Sequence, residues 1–387
     1  MALADATYGV ELGFTPRSRT YPDPDRPPLL RARAREAGPY GDDGIEVRTC
    51  EAIDGVQDDA VQVDLFELGF DQVDLTDHDA LQRTCANVRQ SGRISDADAI
   101  AIRASLDGAV LACSSGRRLT VLHVADEGLI MRSAGPNRLS VVGPRSTGMN
   151  GHGPATSVHG DQDVHGTPLL QLMDGRAPEL FRHDSPDGSN HDVSMMLVNL
   201  WIPLQQVTQP LVLGDGRSID RPRHQARYGL PTDSFLDRDD DQNVNDIWAF
   251  LHGPDQRWYF RSEMDHRSAY VFDTLSTPHG SAVLPGEDVA ERCYLALEAA
   301  EAAIERGDVA ELARVASEAG ELEAPDRVTP ALRQAIADMV ARLAEAGADP
   351  VGACTGGAEA WATASRDARR RVVRMSVELR MVVSAEG

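Results

Sequence analysis

Between residues 150 and 285 the chain is a succession of short apolar runs cut by Pro, Gly and Asp: "MMLVNLWIPL", "QPLVLGD", "RWYFRSEM" and "AYVFDTL". Runs of this kind, separated by turn residues, are the pattern of an antiparallel sandwich or barrel. The fold expected is therefore α+β with a mainly β core.

The flanks read differently. Residues 15–45 are rich in Pro, Arg and Asp, and proline fixes φ and removes a donor, so residues 1–60 are expected to form an extended arm. "VDLFELGFDQVDL" (63–75) alternates like a strand interrupted at Gly69. "TDHDALQRTCANVRQSG" follows as a helix, with Thr76 or Asp77 as N-cap and Gly92 as stop. "GAVLACSSGRRLTVLHV" (108–124) reads as two strands around a Ser-Ser-Gly turn. From about residue 298 the chain turns Ala, Glu and Arg rich, with caps and glycine stops that predict helices through to "RRRVVRMSVELRMVV". Three regions follow: an arm (1–60), a β core with a flanking helix (61–297) and a C-terminal helical region (298–387). Helices of that length need an apolar partner face, on the β core or on a second subunit, so a homodimer is an expected assembly.

A formal charge of −23 argues against a nucleic-acid partner and against an anionic membrane surface. No apolar run approaches bilayer length, and "MALADATYGVELGF" lacks the features of a secretory signal, so a cytoplasmic protein is expected. Cys50, Cys85, Cys113, Cys293 and Cys354 are scattered, with no C-x-x-C pair, and are read as reduced thiols. "DRDDDQNV" (237–244) has Gln242 and Trp248 where a calcium loop needs Gly and Glu, and is read as an acidic loop, a candidate lid. No phosphate-binding loop, dinucleotide glycine pattern or nucleophile elbow is present.

The chemistry-bearing stretch is "SVHGDQDVHG" (157–166). On a strand, residues i and i+2 face the same way, so His159 and Asp161 can share a metal. A mononuclear non-haem iron site needs two imidazoles and one carboxylate on one side, leaving the other open to dioxygen and a co-substrate. His279, in "FDTLSTPHGSAVLPG", is the candidate second imidazole, and His165 is its rival. His183 and His191 lie in loop-like sequence and read as solvated turn residues. A keto-acid co-substrate would need a guanidinium for its far carboxylate, because the planar fork pairs bidentately with it. Arg292 is the candidate if "RCYLAL" is a core strand; the same residues can equally open a helix.

"VHGDQ", "NLWIPLQQVTQPLVLGD", "WYF…M…YVFDTLSTPHGSA" and the later Arg292 stand in an order that resembles Fe(II)/2-oxoglutarate-dependent dioxygenases. The resemblance is to the branch of cephamycin-type hydroxylases and fungal meroterpenoid dioxygenases, and more weakly to phytanoyl-CoA hydroxylases. It covers roughly residues 60–295 and departs at "GDGRSID", at "HGSAVLPG" and throughout the helical tail. It implies a double-stranded β-helix (jelly roll, cupin-like) core. It also implies Fe(II) at His159, Asp161 and His279, 2-oxoglutarate as co-substrate held by Arg292, and O2 as oxidant. The expected activity is hydroxylation or desaturation of a small natural-product intermediate. Halogenation is not expected, since resembling halogenases carry a small residue where Asp161 stands. Arg217, Tyr259 and Arg261 are the expected substrate contacts, in a pocket between the metal and the loops at 150–157 and 217–245. The competing readings are a cupin-like metalloenzyme without 2-oxoglutarate and a non-catalytic β-sandwich binding protein.

Overall fold

The structure, a computed structural model, describes residues 6–36, 38, 40–57, 61–143, 148–231, 244–355 and 358–386. The acidic loop proposed as a lid falls almost wholly outside them.

The strands that build the site are β1 (Thr7–Phe14), β2 (Glu46–Asp54), β3 (Phe70–Asp74), β4 (Val110–Cys113), β5 (Arg118–Val124), β6 (Ile130–Ala134) and β7 (His159–Gly160). They continue with β8 (Met195–Gln206), β9 (Leu211–Gly214), β10 (Gln225–Pro231), β11 (Val244–Phe250), β12 (Trp258–Phe260), β13 (Ser268–Asp273), β14 (His279–Ser281) and β15 (Arg374–Glu386). Six helices matter here: α1 (Asp79–Ser91), α2 (Asp96–Leu106), α3 (Pro168–Leu172), α4 (Glu287–Arg306), α5 (Val309–Ala319) and α6 (Pro330–Ala348).

Two sheets carry the fold. The first runs β1-β2-β12-β9-β14-β7-β11-β10 and is extended by Leu30–Ala32 and Thr20–Pro22. The second contains the order β8-β13-β3-β4-β5-β15, with β6 beside β15, and a β8–β15 pairing closes those six strands into a ring. The order β6-β15-β8-β13 facing β9-β14-β7-β11 is a double-stranded β-helix. Inside the ring, alternate residues of β8 (Met196, Val198, Leu200, Ile202) and β15 (Met375, Val377, Leu379, Met381) join α1 and α2 in one apolar core. The strand period of two then turns Asn199 and Trp201, and Arg374, Ser376, Glu378 and Arg380, toward the first sheet.

The stretch expected as an extended arm supplies β1 and β2, because Tyr8, Val10, Leu12 and Phe14 alternate into the largest apolar cluster. The C-terminal helices pack on that same cluster through Cys293, Leu297, Leu312, Leu332 and Met339. Much of their apolar face is thus covered within the chain. The region expected to be wholly helical ends in β15, at the centre of the second sheet.

The segment around Arg292 is helix, not strand. Gly286 enters α4 with φ 90°, Glu287 and Asp288 occupy the first turn, and Val289, Ala290, Cys293, Leu297 and Ala300 are buried at helical spacing. Arg292 falls on the exposed side of α4.

Candidate metal centre

β7 lies between β11 and β14, with His159 opposite both Ala249 and His279. Cross-strand pairing brings together two histidines 120 residues apart (279 − 159). His159 Nδ1 meets the Ser157 carbonyl at 2.8 Å, and His279 Nδ1 meets the Thr277 carbonyl at 3.0 Å. A carbonyl only accepts, so each Nδ1 carries the hydrogen and each Nε2 presents its lone pair. Both Nε2 atoms point at Asp161 Oδ1, at 3.5 Å from His159 and 3.8 Å from His279. The three ligand atoms lie within 4.8 Å of one another, and all three residues are buried. Ligand atoms about 2.1 Å from one ion stand about 3–4 Å apart, so the set fits a single metal.

The surroundings hold this geometry. Asn199 donates from Nδ2 to Asp161 Oδ2, and Thr274 Oγ1 donates to Asn199 Oδ1 at 2.9 Å, which fixes the amide's orientation. The His279 ring sits between Phe272 (4.5 Å) and His159 (4.3 Å). Tyr40 meets His159 edge-on at 4.7 Å. Burial, reinforced by His159, pushes His279 down to about 4, so it is a neutral ligand near pH 7. Burial and the Asp161 charge push the Tyr40 phenol up to about 12.

A buried ion network anchors the turn that follows the triad. Asp163, two residues past Asp161, accepts from Arg26 Nη1 (2.6 Å) and Arg227 Nε (3.0 Å). Arg227 also pairs with Asp23 (2.8 Å) and Asp246. His165 donates its backbone N–H to Asp163, and its ring faces His183 at 5.8 Å, away from the triad. His183 is buried, contrary to the solvated reading, with no hydrogen-bond partner at Nδ1. His191 is half-exposed and paired with Asp184 at 2.8 Å, as turn chemistry predicts.

One buried arginine was not singled out in the sequence. Arg374 opens β15 on the face toward the first sheet and is buried. Its Nη1 donates to the Gln209 carbonyl (2.9 Å) and to Ser281 Oγ (3.4 Å), two residues past His279 on β14. Among the described residues its Nε and Nη2 have no hydrogen-bond partner, and neither has Ser376 Oγ, two positions along the strand. Glu287 locks the other side of this contact, accepting from Gln209 N and Nε2, both at 2.7 Å. Burial, then the nearby Arg132 charge, pushes Arg374 down to about 10. A cation in that setting wants an anion.

The expected substrate contacts lie elsewhere. Arg217 is bound to Asp215 (3.0 Å), Arg261 donates to the Gly55 carbonyl and Gln72, and Tyr259 packs on Phe70. None of the three lines the cavity that reaches the residue after Asp161. That cavity, about 440 Å³, is framed by residues 123–127, α3 and β15, and it reaches Gln162 next to Asp161.

Fold and site together define a double-stranded β-helix carrying a candidate two-histidine, one-carboxylate metal centre. Residues 131–285 match a family model described as an Oxidoreductase/YMDC permease-like domain. No curated protein matches the sequence. Among solved structures, the chain is similar to the iron and alpha-ketoglutarate-dependent endoperoxidase NvfI, at 13% identity over 98% of each chain with a TM-score of 0.47. A tryptophan-to-phenylalanine variant of that enzyme aligns at 14% identity over 99% of each chain, with a TM-score of 0.48. No helix among the described residues is long and apolar enough to cross a membrane.

Proposed function

We propose that the protein is a non-haem Fe(II)/2-oxoglutarate-dependent oxygenase that hydroxylates or desaturates a small natural-product intermediate. The supporting observation is the pairing of a His-Asp-His set with a buried, incompletely partnered arginine behind it. His159, Asp161 and His279 would hold the iron. Arg374 and Ser376, in place of Arg292, would receive the far carboxylate of 2-oxoglutarate, with the guanidinium offering two free N–H directions. Bound together, iron and keto acid would supply the oxidising power to remove hydrogen from an unactivated C–H bond using O2.

The chain's own residues do the positioning. The Ser157 and Thr277 carbonyls set both imidazole tautomers. Asn199 occupies one carboxylate oxygen and leaves Oδ1 for the metal. Phe272 and Tyr40 exclude water from the outer edges of the rings. A cupin-like enzyme without 2-oxoglutarate would have no use for an unpaired arginine behind its ligands.

Anaerobic Fe(II) plus 2-oxoglutarate should give a weak visible charge-transfer band that His159→Ala and Arg374→Gln both lose. A wild-type protein with no band and no succinate release would overturn the reading. Asp161→Gly should abolish oxidation of the native substrate, and a chlorinated product from wild type would refute the hydroxylase assignment. The unpaired cysteines are in keeping with a reducing cytoplasm as the site of action.

A further inference from the structure

The cavity that reaches Gln162 has a composition that the positioning of metal and keto acid does not use. Its walls are apolar: Leu169, Leu172 and Met173 from α3 and the residues after it, Leu197 from β8, and Val382 from β15. Leu172 is more than half exposed at the mouth, an unusual place for leucine unless something apolar covers it. A volume of about 440 Å³ suits a small ligand.

Two polar groups interrupt this lining at its inner end. Arg380 is directly opposite Asn199 across the β8–β15 pairing, hence next to the residue that holds Asp161. Its side chain is half-buried and makes no hydrogen bond or ion pair among the described residues. Its backbone is fixed by Ala125 N–H on the Arg380 carbonyl at 2.9 Å, and Gly128, at φ 83°, passes over its stem. Gln162 lines the same cavity, and its buried side-chain carbonyl has no donor among the described residues. The rim carries His123 and two exposed carboxylates, Asp126 and Glu127, which repel a multiply charged anion.

We propose that this cavity binds the substrate and that the substrate is an apolar monocarboxylate. Its carboxylate pairs with Arg380, its body lies along Leu169, Leu172, Met173 and Leu197, and a hydroxyl or N–H near the acid meets Gln162. The proposal rests on the oxygenase reading for what happens next to Asp161, but not for the binding itself. A guanidinium between apolar walls discriminates acid from amide strongly, because its charge is only half solvated and the Asp161 carboxylate within its field is already engaged by His159, His279 and Asn199. An acid held by Arg380 also has its nearest carbons beside the metal ligands, so oxidation is directed to the part of the chain close to the carboxylate.

The probes are octanoate and its neutral amide, octanamide, titrated calorimetrically into the metal-free protein. Wild type should bind octanoate about tenfold or more tighter than octanamide. Arg380→Gln should erase that preference, Arg380→Lys should keep part of it, and Arg374→Gln should leave it intact. Separately, Arg380→Gln should retain the anaerobic Fe(II)/2-oxoglutarate band. Equal or absent binding of the two probes by wild type would overturn the proposal, as would a preference that survives Arg380→Gln. Loss of the band in Arg380→Gln would reassign Arg380 to the keto acid and overturn it too. A wild-type octanoate preference with no band at all would refute the oxygenase reading and leave the acid-binding cavity standing.

Discussion

Replacing Arg374 by Met should separate the stability of the fold from the binding of the co-substrate, with opposite signs. Burial and Arg132 push the Arg374 guanidinium from an ordinary 12.5 down to about 10. That gap corresponds to a cost of roughly 3 kcal/mol for keeping the charge in the folded state. For a cation with a depressed folded value, the cost is present at all pH below about 10 and is relieved as pH rises from there toward 12.5. Neutral pH therefore carries all of it. Methionine removes the charge and fills similar space, but it gives up the contacts to the Gln209 carbonyl and Ser281 Oγ. Those are worth about 1 kcal/mol each, so the variant without ligands should match wild type or exceed it by about 1 kcal/mol. 2-Oxoglutarate at a hundredfold excess over its dissociation constant should stabilise wild type by about 2.7 kcal/mol, and this increment should vanish in Arg374→Met. Urea denaturation under argon, with and without Fe(II) and 2-oxoglutarate, reads both quantities. A variant that loses several kcal/mol by itself yet keeps the ligand increment would show that Arg374 is a structural cation and refute the reasoning.

Other outcomes follow from the same geometry. Asn199→Ala should weaken metal binding about 10- to 100-fold in a chelator competition, because Asp161 loses the group that orients it. Burial, with Asp184 nearby, pushes Asp273 up to about 7, so the folded state holds this proton more tightly than the unfolded chain. The associated stability is full below about pH 4 and is lost as pH rises to about 7, a fall of at most about 4 kcal/mol, and Asp273→Asn should flatten that part of the denaturation profile. Truncation after residue 305 deletes β15 and should give an insoluble or unfolded product by circular dichroism, not an active core. Alanine at Arg217, Tyr259 or Arg261 should leave turnover unchanged, since their partners lie away from the triad.

The residues of the candidate metal centre were singled out by strand spacing together with the order of motifs around them. His159 and Asp161 are two apart, and His279 lies in a Thr-Pro-His-Gly turn after an apolar strand of the same β region. The sequence leaves strand and helix open at "RCYLAL", and the structure makes it helix, with Arg292 exposed. Helices occupy Glu287–Arg306, Val309–Ala319, Pro330–Ala348, Pro350–Thr355 and Ala358–Arg371, and the next strand among the described residues starts at Arg374. The signal was present: "RMSVELRMVV" alternates Arg, Ser, Glu and Arg with Met, Val, Leu and Met. It was hidden by the helix-forming stretch that runs into it. In the same way, the alternation of "TYGVELGF" was outweighed by the prolines that follow it. The Asp163–Arg227 pair joins residues 64 positions apart and leaves no periodic trace at all.

The placement of β15 also fixes the order in which a growing polypeptide can finish its site. All three residues of the candidate metal centre have been synthesised by residue 279, whereas the wall that carries Arg374, Ser376 and Arg380 is made 95 to 101 residues later (374 − 279; 380 − 279). Until then β8 and β6 each lack a neighbour on the side where β15 will insert, and the triad faces an open groove. The helices in between are synthesised before β15, which in the finished fold lies between β6 and β8. Protease resistance should therefore arrive in one step, between released chains truncated after Val373 and released chains that include Arg374–Glu386.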